Sequence, residues 1–202
     1  MTDPNRGTHL PRLPEPCYRG YAVVHWTMTF RDRRTGWLST IFHARFRELL
    51  THTAARFRVA CPVYVLMPDH LHLVLMGWDP ASDQLKATRY LKKQINLELK
   101  RGGDAVLQHQ SHDRVLRDDE RQETSFRQLV EYIAKNPERA GLINPGGYRN
   151  YEFLDCLIPG YPEVHFGQDD FWLRLDRTIS FLRHRGLFRP AGEGRPSSQS
   201  TA

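Results

Sequence analysis

Residues Val59–Trp78 read VACPVYVLMPDHLHLVLMGW. Two runs rich in β-branched and apolar residues, Val59–Met67 and His70–Trp78, flank Met67-Pro68-Asp69. Proline and aspartate suit a tight turn, so the stretch predicts a β-hairpin. Side chains alternate faces along a strand. In the second run this sends Leu71, Leu73 and Leu75 to one side, towards a core. His70 and His72 then share the other side.

Working outward, Tyr21–Phe30 (YAVVHWTMTF) carries the composition of another strand. Ser39 suits a helix N-cap, and Ile41, Phe42, Phe46, Leu49, Leu50 and Phe57 follow at helical spacing. Beyond the hairpin, a helix is expected over Gln84–Lys100, ending at Gly102-Gly103. A short strand follows near Arg114–Arg117, then a helix over Glu123–Lys135. The order β-α-β-β-α-β plus a helix predicts an α+β fold, a ferredoxin-like antiparallel sheet with helices on one face. Residues 18–150 form that domain. Residues 1–17, with four prolines, read as an extended arm and 151–188 as a C-terminal extension. The Pro/Gly/Ser-rich stretch 189–202 reads as a disordered tail.

Composition narrows the partners. The chain has 202 residues, 40% of them hydrophobic, and a net charge of +6. That allows one substantial core and favours a polyanionic partner. Three well-separated cysteines, Cys17, Cys61 and Cys156, fit neither a zinc ribbon nor a disulfide scaffold, and a reducing, cytoplasmic setting is expected. No apolar run approaches a membrane span and no signal-peptide core is present in the N-terminal stretch, so no membrane role is expected.

Two features carry chemistry. Two imidazoles on one strand face make half of a metal site. The pair alone fits an ordinary solvated strand face as well. In the helix over Glu123–Lys135, Phe126, Leu129, Val130 and Ile133 form a core stripe. Tyr132 lies beside that stripe, and Asn136 falls four residues later on the tyrosine's face. Pro137 disfavours α geometry at Asn136, so the helix is expected to end or bend there. By spacing alone Tyr132 reads equally as a boundary tyrosine. A phenol with a pKa of about 10 is a poor nucleophile at neutral pH. A divalent cation that polarises a phosphodiester would make one useful, which gives the two features a reason to act together.

Tyr64–Leu75, YVLMPDHLHLVL, resembles the HUH segment of single-tyrosine transposases. Tyr132–Ile143, YIAKNPERAGLI, resembles their tyrosine-helix segment in the form found in REP-associated tyrosine transposases, and His112–Arg117 resembles the stretch before it. The resemblance runs from about Tyr21 to Ile143. It implies the same ferredoxin-like fold with the nucleophile on the following helix. It implies His70, His72 and Asn136 as metal ligands, with Mg or Mn as the divalent ion, and Tyr132 as the nucleophile. The activity implied is cleavage and rejoining of single-stranded DNA beside a palindromic hairpin, through a 5′-phosphotyrosine. A bacterial, nucleoid-associated protein acting as monomer or homodimer is implied. A domesticated, non-catalytic hairpin-binding protein is the alternative.

Basic residues suggest where DNA binds. Lys86, Arg89, Lys92 and Lys93 crowd one helix, while Arg31 follows the first strand and Arg183 and Arg185 lie near the C-terminus. Each suits phosphate contact. A solvated helix face explains any single one of them equally well.

Overall fold

The structure is a computed structural model that describes residues 12–103 and 105–185. The expected tail over 189–202 and the first eleven residues of the arm lie outside the described residues. Five strands form one sheet: β1 (Val23–Thr29), β2 (Val59–Met67), β3 (His70–Gly77), β4 (His112–Val115) and β5 (Leu154–Leu157). Their order is β4-β1-β3-β2-β5 and every pairing is antiparallel. The first four strands, with α1 (Thr40–Phe57) and α2 (Gln84–Gly102), make the expected β-α-β-β-α-β unit.

Local signals set the elements. Ser39 accepts the Phe42 amide at 3.1 Å and Asp83 accepts the Lys86 amide at 3.0 Å, so a polar side chain caps each of the two long helices. α1 stops at Arg58, which is left-handed (φ 54°). The β2–β3 turn is tight, since Met67 and His70 are register partners with only Pro68-Asp69 between. Pro62 interrupts a central strand, where a missing N–H would cost a ladder bond. A bulge between Ala60 and Tyr64 accommodates it, with the register shifting against both neighbours.

Both faces of the sheet are covered, but unequally. α1 and α2 bury Trp26, Tyr64, Leu66, Leu71, Leu73 and Leu75. Helix α3 (Glu123–Ala134), a short turn α4 (Asn136–Arg139) and α5 (Phe171–Arg185) lie on the opposite face. There Phe126, Val130 and Ile133 of α3 and Leu175 and Ile179 of α5 pack on Val63, Val65, Val74 and Met76. All nine residues of β2 are therefore buried. In β1 and β3 burial lapses on alternate residues at one end only: at His25, Thr27 and Thr29, and at His70 and His72. That bare end of the second face is where the site lies.

Two expectations need correction. Ile41, placed on the core face of α1 by its spacing, is 85% exposed, because it heads the row of Arg45, Glu48 and His52 on the outer side of the helix, while its neighbour Phe42 turns inward. The arm is not simply extended: Glu15–Tyr18 forms a 3-10 turn and Tyr18 is fully buried, its hydroxyl bonded to Asp113. The extension over 151–188 joins the sheet. Leu154–Leu157 pairs with β2, and the Leu66 amide donates to the Phe153 carbonyl at 3.0 Å. Arg47 of α1 binds both the Tyr64 hydroxyl at 2.8 Å and Asp155 of β5 at 2.5 Å, tying the added strand to the first helix. Among the described residues no helix is long and apolar enough to cross a membrane.

Candidate active site

The hairpin brings His70 and His72 together on the bare face, their Nε2 atoms 3.1 Å apart. Each ring is held from behind. Asp69 accepts from Nδ1 of His70 at 2.6 Å, and Arg33 pairs with the other Asp69 oxygen at 3.1 Å. Nδ1 of His72 faces the Thr27 hydroxyl at 3.0 Å and Nε2 of His25 at 3.2 Å. Register explains this convergence: Thr27 is the partner of His72 and Thr29 of His70, with His25 two residues along the same face.

The electrostatics favour neutral imidazoles at His72 and His25. Burial, then the neighbouring His25 and His70, lowers the His72 pKa to about 3. Burial, then Arg114 and His112, lowers that of His25 to about 4. An Nδ1–H donated to Asp69 leaves Nε2 of His70 with a bare lone pair. An Nδ1–H donated to Thr27 or His25 does the same for His72. In that pair of tautomers both Nε2 lone pairs open on one space, 3.1 Å apart, where a single cation can take both; in the alternative tautomer the same two atoms share a hydrogen bond. The spacing suits two adjacent nitrogen ligands, each about 2.1 Å from one ion. The carboxylate behind His70 is the usual support of a ligating imidazole. Among the described residues no group of three or more His, Cys, Asp or Glu side chains converges as a metal cluster. An ion held by this pair would draw its remaining ligands from amide, water or substrate oxygens.

Tyr132 sits in the last turns of α3. Phe126, near the start of that helix, lines a depression with Val23 and Met76, at the end of the sheet away from the histidines. From Phe126 to Asn136 the chain advances about 15 Å, against about 20 Å from Met76 to His70. The end of α3 is thus carried towards the histidine end. Contacts beyond it agree: Glu138 accepts the Tyr148 amide at 2.9 Å, and the Tyr151 hydroxyl donates to the carbonyl of Leu66, the register partner of Leu71. The Tyr132 side chain is 54% exposed. Its ring lies under the guanidinium of Arg139, 3.6 Å from ring centre to guanidinium carbon. Arg139 also donates to the Tyr132 carbonyl at 3.2 Å, clasping the residue from both sides. Among the described residues the Tyr132 hydroxyl makes no hydrogen bond, and neither Tyr132 nor Asn136 forms a hydrogen bond to the histidines.

Helix α3 ends at Ala134, and Asn136 opens the next turn with Pro137 behind it, as expected. The Asn136 amide nitrogen donates to the Ile133 carbonyl at 2.9 Å, which commits the nitrogen and leaves the side-chain oxygen as the available acceptor.

The expected DNA-binding residues do not form one patch. Lys86, Arg89, Lys92 and Lys93 lie on α2, across the sheet from the histidines; Lys86 pairs with Asp83 at 3.2 Å and Lys92 is partly buried. Arg31 is exposed in the turn after β1, at the histidine end. Arg183 lies over Tyr21 at 5.4 Å and Arg185 is exposed at the end of α5. Sequence reasoning missed His25, Thr27 and the roles of Arg33 and Asp69 behind the histidines. The alternation in His25-Trp26-Thr27 was a usable signal for the first two.

No family model and no curated protein matches the chain. Among solved structures it is similar to a REP-associated tyrosine transposase bound to a REP hairpin. The identity is 20%, the TM-score 0.59, and the match covers 73% of this chain and 82% of that one. It is also similar to a bacterial tRNA(His) guanylyltransferase-like protein in complex with GTP, at 11% identity and a TM-score of 0.48, over 84% of this chain and 95% of that one. The chain has the fold of the first: a five-stranded antiparallel sheet flanked by helices.

Proposed function

We propose that the chain cleaves and rejoins single-stranded DNA beside a palindromic hairpin, using Tyr132 as nucleophile. His70, His72 and Asn136 are the protein ligands of a divalent metal, Mg or Mn. The observation that carries this reading is the facing pair of Nε2 atoms, 3.1 Å apart, each backed by a hydrogen bond at Nδ1. Support comes from the end of α3, which runs towards that pair, and from the fold shared with a tyrosine transposase that binds a REP hairpin.

When bound, the divalent cation polarises the scissile phosphate and offsets the charge that builds on it. Everything else falls to side chains. Asp69 holds His70, while Thr27 and His25 hold His72, so that neither imidazole must reorganise. Arg139 lies on the Tyr132 ring, holds its orientation and brings a positive charge beside it. The Tyr132 oxygen forms a bond to phosphorus and loses its proton. The bond from phosphorus to the 3′ oxygen breaks, and that oxygen takes up a proton as a free hydroxyl. The DNA is left joined to Tyr132 through its 5′ phosphate, and attack by a 3′ hydroxyl reverses the step.

The test is an oligonucleotide carrying a hairpin with single-stranded flanks, incubated with Mg or Mn. Wild type should form a covalent adduct. Tyr132→Phe should form none while still binding the DNA, and His70→Ala should lose the metal-dependent reaction. Equal adduct in wild type and Tyr132→Phe would remove Tyr132 from the role. A second reading, a non-catalytic hairpin-binding protein, is favoured by one observation: among the described residues the Tyr132 hydroxyl makes no hydrogen bond and no base is in place beside it. It requires binding without cleavage by wild type in every divalent metal.

A further inference from the structure

A second basic site lies on the α1–α2 side of the sheet, where α2 passes the β4 edge. A pocket of about 290 Å³ opens there, lined by Arg12, Arg89 and Lys92, with Trp26 and Thr88 among its walls and His109 at its rim. Among the described residues no carboxylate lines it. Arg12 is turned to one side: its Nε pairs with Asp113 at 2.9 Å, its terminal nitrogen donates to the Ser111 carbonyl at 3.3 Å, and its guanidinium lies 5.7 Å over the Trp26 ring. Asp113 is already engaged by Arg12 and Tyr18.

Lys92 is the odd member. Its ammonium donates to the His109 carbonyl at 2.5 Å and has no acidic partner among the described residues. Burial, and then the charge of Arg12, lowers its pKa to about 8. A partly buried ammonium beside a guanidinium is costly unless an anion completes the set. Two of its three N–H groups remain to be satisfied. Arg89, exposed on the same helix one turn before it, forms no ion pair among the described residues and adds a third cation at the pocket.

We propose that this pocket binds a phosphate group, held by Lys92, Arg89 and the free side of Arg12. The size admits one tetrahedral oxyanion, and the cations and the Trp26 wall leave no place for a metal ion. Resting on the reading of the chain as a hairpin-DNA enzyme, that phosphate belongs to the DNA backbone. The chain then grips its substrate on the face of the sheet opposite the histidines as well as at Tyr132.

Two measurements on the full chain test this. In phosphate-free buffer, inorganic phosphate should raise the wild-type Tm in a saturable way. Lys92→Met and Arg89→Ala should weaken the apparent phosphate affinity at least about ten-fold, consistent with loss of a charge-assisted hydrogen bond. Without phosphate, Lys92→Met should melt no lower than wild type, since it removes an uncompensated charge. In the second measurement, hairpin binding is followed against salt. Each variant should reduce the slope of log affinity on log salt by about one. An equal phosphate response in wild type and both variants overturns the site. A lost phosphate response with an unchanged slope overturns its assignment to the DNA backbone and leaves free phosphate as the ligand. A phosphate response in a wild-type chain that binds no hairpin supports the site and overturns the proposed function instead. Should Lys92→Met fail to fold, Arg89→Ala, a surface change, decides alone.

Discussion

Individual residues around the histidine pair divide into those that hold and those that present. Asp69 connects Arg33 to His70, so we expect Asp69→Ala to weaken Mn binding by about 10–100-fold, measured by calorimetric titration. Thr27→Val removes one partner from Nδ1 of His72 and leaves His25, so its effect should be smaller than that of Asp69→Ala. Arg139 acts on the nucleophile rather than on the metal. We expect Arg139→Gln to slow adduct formation about ten-fold at saturating DNA while Mn affinity is unchanged. Arg139→Lys should not restore the rate, because an ammonium cannot lie flat on the ring as a guanidinium does. A lysine that restored it would show that charge alone matters. Asp32 and Arg33 both adopt positive φ (55° and 52°), a rare conformation for such residues. It occurs where Arg33 must turn back to reach Asp69.

At the scale of elements, the added strand depends on one network. Asp155 accepts Arg47 from α1 and the backbone amides of Cys156 and Phe166 at 2.8 and 2.9 Å. Asp155→Ala leaves a half-buried arginine with only the Tyr64 hydroxyl as partner and strands two amides. It should lower unfolding free energy by about 2 kcal/mol in a denaturant titration, allowing for the partial exposure of Arg47. The elements that sequence made legible were those with long periodic patterns: the hairpin, both capped helices and the stripe on α3. β5 was not legible, since four residues pairing irregularly beside a bulge leave no period to read. His70 and His72 were legible because alternation alone puts them on one face. Their supports were not, because Thr27 and His25 meet His72 only through a strand register that no local pattern specifies. Ile41 misled because an apolar side chain next to a core residue reads as part of the stripe, whereas its own helical row runs through Arg45, Glu48 and His52 on the outer side.

For the molecule as a whole, the decisive property is that one face of the sheet is covered throughout and the other for only part of its length. α3 and α5 bury the second face over Val63, Val65, Val74 and Met76 and stop short of His70, His72, Thr27 and Thr29. The reaction proposed here needs such a gap, because a phosphodiester must reach the sheet while α3 stays anchored by Phe126, Val130 and Ile133. The same gap separates two kinds of selective pressure. In a saturation library scored for abundance in cells, every position of β2 should resist polar exchange, since each side chain is buried. In β1 and β3 the resistance should fall on alternate positions near the hairpin. Scored for adduct formation instead, His25, Thr27, His70 and His72 should become intolerant although their abundance scores are mild. Mutational drift in this chain would thus leave two separable records, one written by folding and one by chemistry, overlaid on the same two strands.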